Sequence, residues 1–340
     1  MRISRSALMG GSAAVGILVL ILDSRSALNG ATLGVNLCIQ SIIPTLFPFF
    51  VLSTILIRNL SSRNASIFRL IGRLCGIPEG GETVLLAGLL GGYPVGAQCI
   101  CQLYADQNIT KTESGRLLGF CSNAGPAFIF GMSGCLFQNK WAPFTIWVIH
   151  ILCALITGTI LPNKSYTSIQ PSTKTKFHLT EGIQSAIRSM TLVCAWVILF
   201  RIAITFGERW FLWLLPRKLQ IALKGAFELT NGYLELTMLQ NERLRFIYAS
   251  IFLAFGGLCV MLQTASIVNQ AGLDLGFYLP GKMIQATFSA ILSYWISGYL
   301  YHEDTILSIP LVISSAVVSV FIILRKFTQI GSRNPVTSDV

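Results

Sequence analysis

Apolar runs long enough to cross a membrane recur along the chain, near residues 7–22, 33–57, 113–137, 143–161, 183–206, 243–268, 280–300 and 306–324. At roughly 20 residues per crossing, they predict eight transmembrane helices. Two further apolar stretches, 83–105 and 220–240, are interrupted near the middle by glycine and polar residues. Their half-segments are too short to cross, so each is expected to enter and leave the membrane on one side as a re-entrant helical hairpin.

The interruptions come in pairs. The first half carries Gly91-Gly92-Tyr93-Pro94 and then Ser122-Asn123-Ala124-Gly125-Pro126; the second carries Thr230-Asn231-Gly232 and then Gly256-Gly257. Unwound backbone at membrane depth persists only where protein or a water-filled cavity satisfies its N–H and C=O groups, and paired broken helices are the pattern of secondary transporters. Each half reads as helix, short amphipathic piece, hairpin, interrupted helix, helix. In the first half the amphipathic piece is expected around Arg63, Ile67, Phe68, Arg69, Leu70, Ile71 and Arg73; in the second, at Arg209 to Trp213 with Arg217 and Lys218. The expected fold is therefore an all-α polytopic membrane protein, about eight transmembrane helices plus two re-entrant hairpins in an inverted repeat. It divides into an N-terminal helix (1–29), a first repeat (30–162), a basic cytoplasmic linker (163–182), a second repeat (183–325) and a polar tail (326–340).

Composition agrees. Hydrophobic residues make up 53% of the 340 positions and charged residues 11%, with a mean hydropathy of +0.66. A soluble domain carries about a quarter charged residues. The net charge of +11 lies in short clusters between the apolar runs, which indicates membrane topology and not a nucleic-acid partner. With the N-terminus inside, sixteen Lys and Arg fall on the cytoplasmic side and eight outside, with Arg201 within a span. Both termini are expected in the cytoplasm, in a bacterial cell membrane or a spore-associated membrane. Lacking a clear cleavage site, the run 7–22 reads as a retained helix in preference to a signal peptide. The nine cysteines are scattered and read as buried hydrophobes; no metal site or cofactor is expected, and a coupling ion, Na⁺ or H⁺, stays open.

The interruptions supply the candidate chemistry. In the first hairpin Gly92 and Pro94 end one arm and start the next, with Gln98 one turn along. Ser122 and Asn123 can cap the following arm or hold a ligand. Glu228, Thr230 and Asn231 form the polar tip of the second hairpin, with Glu235 nearby; a carboxylate at that depth is a functional candidate, the alternative being an ion pair with Arg201 or Lys224. Gln263 adds an amide after the Gly256-Gly257 break, and interhelical hydrogen bonding accounts for it equally well. No HExxH, GxSxG or paired aspartates are present, so an enzyme is not expected.

The motifs 91–97, 122–131 and 228–232 together resemble the sporulation integral membrane proteins of the YlbJ type, in the nucleoside recognition (Gate) domain group. That group includes concentrative nucleoside transporters and the membrane part of ferrous-iron transporters. The resemblance implies the two-hairpin inverted-repeat fold around a central cavity and, by motif, solute-binding roles for Gln98, Asn123, Glu228 and Asn231. Polar residues for base and sodium are sparse between Gly91 and Gln98, which departs from the nucleoside transporters. The expected function is a transporter or facilitator of a small polar solute, anionic or aromatic, dipicolinate-like or nucleoside-like. The alternative is a non-transporting scaffold for spore-envelope assembly. The expected partners are the bilayer, the solute and, as in related transporters, further copies of the chain.

Overall fold

The computed structural model describes residues 5–59, 69–78, 81–162 and 179–301. Every regular element among these is helical. Helix α1 spans Arg5–Leu22 and α2 Ser24–Leu37, started by the Asp23 carboxylate, which accepts from the Ser26 amide; a π turn at Cys38–Ile42 joins α2 to α3, Ile43–Asn59. Then follow α4 (Arg69–Leu74), α5 (Glu82–Leu86, extended by a π turn to Gly91), α6 (Val95–Ala105), α7 (Lys111–Cys121), α8 (Pro126–Ser133) and α9 (Ala142–Ile160). The second half has α10 (Leu179–Trp210), α11 (Arg217–Phe227), α12 (Leu229–Glu235), α13 (Glu242–Phe255), α14 (Gly257–Gln270) and α15 (Tyr278–Leu300).

Among the described residues, four helical stretches are long and apolar enough to cross a membrane: Ser24–Ile55 (α2 into α3), Ala142–Ile160 (α9), Leu179–Trp210 (α10) and Glu242–Gln270 (α13 with α14). The molecule is a helical membrane protein. Exposed side chains such as Leu52, Leu152, Ile187, Leu199 and Met283 are apolar, a surface suited to lipid.

The run 113–137 forms no single helix. Its two parts, α7 and α8, hold 11 and 8 residues and so reach only about 16 and 12 Å at 1.5 Å per residue. Helix α15 is long enough, at 23 residues, but one face carries Lys282, Gln285, Ser289, Ser293 and Ser297, all buried. The run 306–324 lies outside the described residues, as do residues 60–68 of the first amphipathic piece; what is described of that piece is the six-residue α4. Its expected counterpart is divided differently. Arg209 and Trp210 finish α10, Leu212–Leu214 forms a 3-10 turn, and Arg217 and Lys218 open α11.

The same element order occurs twice, with two short helices, then a helix broken in the middle, then a long helix. The packing crosses between the halves, since α7 lies against α15 and α13 lies against α9, while α9 and α15 also meet. Small residues make these crossings close. A methyl group at Gly281 would sit 2.2 Å from the carbonyl oxygen of Gly119, and one at Gly276 2.4 Å from the Gly115 Cα. Helix α10 lies along α2 and α3. One apolar core gathers α3, α8, α9, α10 and α13; a second fills the space between α5, α6, α7 and the start of α15.

Candidate functional site

The first two interruptions touch. Gly92 has φ +72°, a conformation that glycine adopts without strain, and the chain leaves the π turn there before Pro94 caps α6. Pro94 thus stands one position before the helix and not within its first turn. A Cβ on Gly92 would lie 2.6 Å from the Gly125 nitrogen, and one on Gly88 only 1.6 Å from the Cys121 carbonyl oxygen. Gly88, Gly92 and Gly96, four residues apart, therefore form the strip on which the second interruption rests. Residues 122–125 are non-helical, and Pro126 begins α8 at its first position, where a missing N–H is harmless.

Asn123 is fully buried and held on both sides. Its amide nitrogen donates to the Phe120 carbonyl at 2.7 Å, and its oxygen accepts from Gln285 at 3.0 Å and from the Lys282 ammonium at 3.3 Å. The Ala124 amide donates to His150 Nε2 at 3.1 Å. Helices α9 and α15 thereby supply the polar partners that the unwound segment lacks. Gln98 turns to α10, donating to Ser189 Oγ at 3.0 Å, and Ser122 is buried with its hydroxyl unpartnered.

The second hairpin breaks earlier than its composition indicates. Thr230, Asn231 and Gly232 lie inside α12, and the kink is at Glu228, with φ −143° and ψ 120°. The Glu228 carboxylate accepts from the Thr230 amide (2.9 Å), the Asn231 amide (2.7 Å) and the Asn231 side chain (2.5 Å). Glu228 is thus an N-cap. A carboxylate on the positive end of a helix explains how an acid with 1% exposure is accommodated. Neither Arg201 nor Lys224 pairs with it. Arg201 donates to Asn231 Oδ1 at 3.4 Å and to Glu208 at 3.3 Å, and Lys224 lies 2.5 Å from both Glu208 and Glu235. The ion-pair reading holds for Glu235. Gly225, Ala226 and Leu229 meet the last break, where Gly256 and Gly257 take φ +81° and +79°.

Three of the interruptions, and the helix that follows the fourth, line one pocket, which encloses about 540 Å³ of space not filled by atoms, part of it open to solvent. Gly91, Gly92 and Tyr93 come from the first, Ala124 and Gly125 from the second, Glu228, Leu229 and Thr230 from the third, and Val260 and Gln263 from the helix after the fourth. Phe50, Phe128, Val193 and Val197 give it an apolar wall. Of the residues predicted from sequence, Gly92, Glu228, Thr230 and Gln263 line this pocket. Pro94, Gln98, Ser122, Asn123 and Asn231 do not; of these, Gln98, Asn123 and Asn231 bond to neighbouring helices. Gln263 also donates to Cys259 Sγ at 3.3 Å.

The sequence reading missed Tyr93, Lys282 and His150. Lys282 and Arg116 are among the sixteen basic residues that the topology places on the cytoplasmic side, yet Lys282 has 0% exposure inside α15, and Arg116 is buried with its guanidinium on the carbonyls of Cys75, Gly76 and Gly158. The legible signal for Lys282 was the polar file Lys282, Gln285, Ser289, Ser293, Ser297, spaced for one helix face.

No family model matches the chain, and no solved structure matches it. Among curated proteins, it is 24% identical over 323 residues to "Sporulation integral membrane protein YlbJ" of Bacillus subtilis (strain 168), covering 78% of this chain and 76% of that protein. The chain is thus similar to a YlbJ-type sporulation integral membrane protein, the resemblance that the motifs at the interruptions carry.

Proposed function

We propose that the chain is a transporter or facilitator of a small polar solute, anionic or aromatic, acting during endospore formation. The observation that carries this reading is the convergence of three separate helix interruptions, and of the helix after a fourth, on one pocket. Breaking a helix at membrane depth exposes polar backbone, and a chain that does so repeatedly around one cavity places binding groups where a solute crosses. The sporulation setting comes from the relative's name.

In this reading α5 with α6, and α11 with α12, are re-entrant hairpins entering from opposite sides, and the halves form an inverted repeat of the Gate type. The apolar wall receives the body of the solute, and Glu228, Thr230 and Gln263 meet its polar edge. An aromatic dicarboxylate such as dipicolinate fits the mixed apolar and polar lining. The site works without a resident cofactor, and no catalytic step is assigned to it.

The test is solute uptake into vesicles containing the purified protein, with a panel of dipicolinate, nucleosides and nucleobases. Uptake by wild type that falls at least about tenfold in Thr230→Val and Glu228→Gln supports the pocket; uptake unchanged by both removes it.

A specific observation favours the scaffold as second reading, since Asn123, Asn231 and Gln98 direct their polar atoms to other helices and not to the pocket. A scaffold predicts no uptake of any solute, and normal spore envelopes when the pocket residues are substituted.

A further inference from the structure

We infer that the protein holds an anion site at Lys282, one that takes a carboxylate group or an inorganic anion of like charge. Lys282 has 0% exposure, and no carboxylate lies within ion-pair reach of its ammonium among the described residues. Its hydrogen-bond partners are neutral: Gln285 Oε1 at 2.8 Å and Asn123 Oδ1 at 3.3 Å. An ammonium carries three donors, so one remains. Two aromatic rings flank it, Tyr93 with its centroid 5.4 Å from Nζ and Tyr278 at 5.9 Å.

The surroundings are rich in unspent donors. The Tyr93 hydroxyl is buried without a partner, as is the Ser122 hydroxyl, which adjoins Asn123 in sequence. His150 accepts the Ala124 amide on Nε2, so its proton resides on Nδ1, and that N–H also lacks a partner. Native interiors leave few polar atoms unpaired, and here Tyr93, with its hydroxyl unpaired, lies beside a buried ammonium that has no negative partner among the described residues. Such a set lacks an acceptor and a negative charge, and an anion supplies both.

Tyr93 connects this site to the pocket, because it lines the pocket while its ring lies beside Nζ. The Glu228 carboxylate on the pocket wall already accepts three hydrogen bonds from α12. An acid group is therefore drawn to the Lys282 side, its apolar body left against Phe128, Val193 and Val197. This deepens the transporter reading and rests on it for the route by which a solute reaches Lys282.

The experiment is binding of pyridine-2-carboxylate, its neutral amide and chloride to the detergent-solubilised full chain, read by thermal shift and titration. Wild type and Lys282→Arg are expected to bind the carboxylate, Lys282→Met at least tenfold more weakly, and the amide not to bind detectably. Tyr93→Phe, which removes only an unpartnered hydroxyl, is expected to weaken the carboxylate several-fold and stands in if Lys282→Met does not fold. Chloride competing with the carboxylate supports the site and assigns it to inorganic anions also. The inference is overturned if neither anion binds wild type, if amide and carboxylate bind alike, or if Lys282→Met and Tyr93→Phe both bind as wild type. Carboxylate binding at Lys282 with no uptake into vesicles keeps the site and removes the transporter; uptake indifferent to Lys282 does the reverse.

Discussion

Glu228 shows how one residue serves two ends. Its carboxylate closes the N-terminus of α12 and also faces the pocket. Glu228→Ala removes the cap and leaves the Thr230 and Asn231 amides without their acceptor, at an expected loss of about 0.5–2 kcal/mol in denaturant unfolding. Glu228→Gln keeps one acceptor oxygen and is expected to lose less stability while still lowering uptake. Equal stability of all three proteins would show that the cap contributes nothing. Asn231 looked like a ligand from sequence because it stands beside Glu228. The structure spends it between Glu228 and Arg201, and sequence spacing does not reveal where an amide points.

At the scale of elements, glycine strips set the distances between helices. Gly88→Ala places a methyl group on the Cys121 carbonyl and is expected to cost about 1–3 kcal/mol or more, since backbone and not a flexible side chain must move. Gly134→Ala, where nothing lies within 4 Å, is the control and is expected to be neutral in the same melt. The network Arg201, Glu208, Lys224, Glu235 ties α10, α11 and α12 together. Breaking a buried pair from one side costs about 3–5 kcal/mol, and the partial exposure of Glu208 and Glu235 puts Lys224→Met at or below the lower end of that range. At the surface, Lys111 beside Asp274 holds that carboxyl below the usual carboxylate range and links α7 to the connection before α15. A carboxyl lowered on folding favours the folded state above its ordinary pKa, and this contribution fades as pH falls through the lowered value. Melting of Asp274→Asn against wild type is therefore expected to differ slightly at neutral pH and to converge in acid.

For the whole molecule, the proposed inverted repeat is a statement about sides. Gln107, after α6, and Gln240, before α13, are both exposed. Single cysteines at Gln107→Cys and Gln240→Cys, in a chain freed of its nine native cysteines, are expected to react with an impermeant thiol reagent from opposite faces of the membrane. Labelling from the same face would remove the inverted repeat and with it the two-sided access that the transporter needs.

Much of this was legible without coordinates, because membrane helices must satisfy their own backbone and their apolar runs and breaks are written residue by residue. The arms Glu82–Gly91 and Val95–Ala105, the non-helical 122–125 and the turn at Gly256 fall where glycine, proline and polar residues announced them. What tertiary structure alone decided was which polar residues face the pocket and which face another helix. Asn123 and Gln98 are consumed by partners 162 and 91 residues away, and Lys282, which resembles a loop charge in sequence, is drawn inside by the close crossing of Gly119 and Gly281. Local pattern records the period of a helix and where it stops. The direction of a side chain in three dimensions depends on contacts between distant segments, which no local pattern contains.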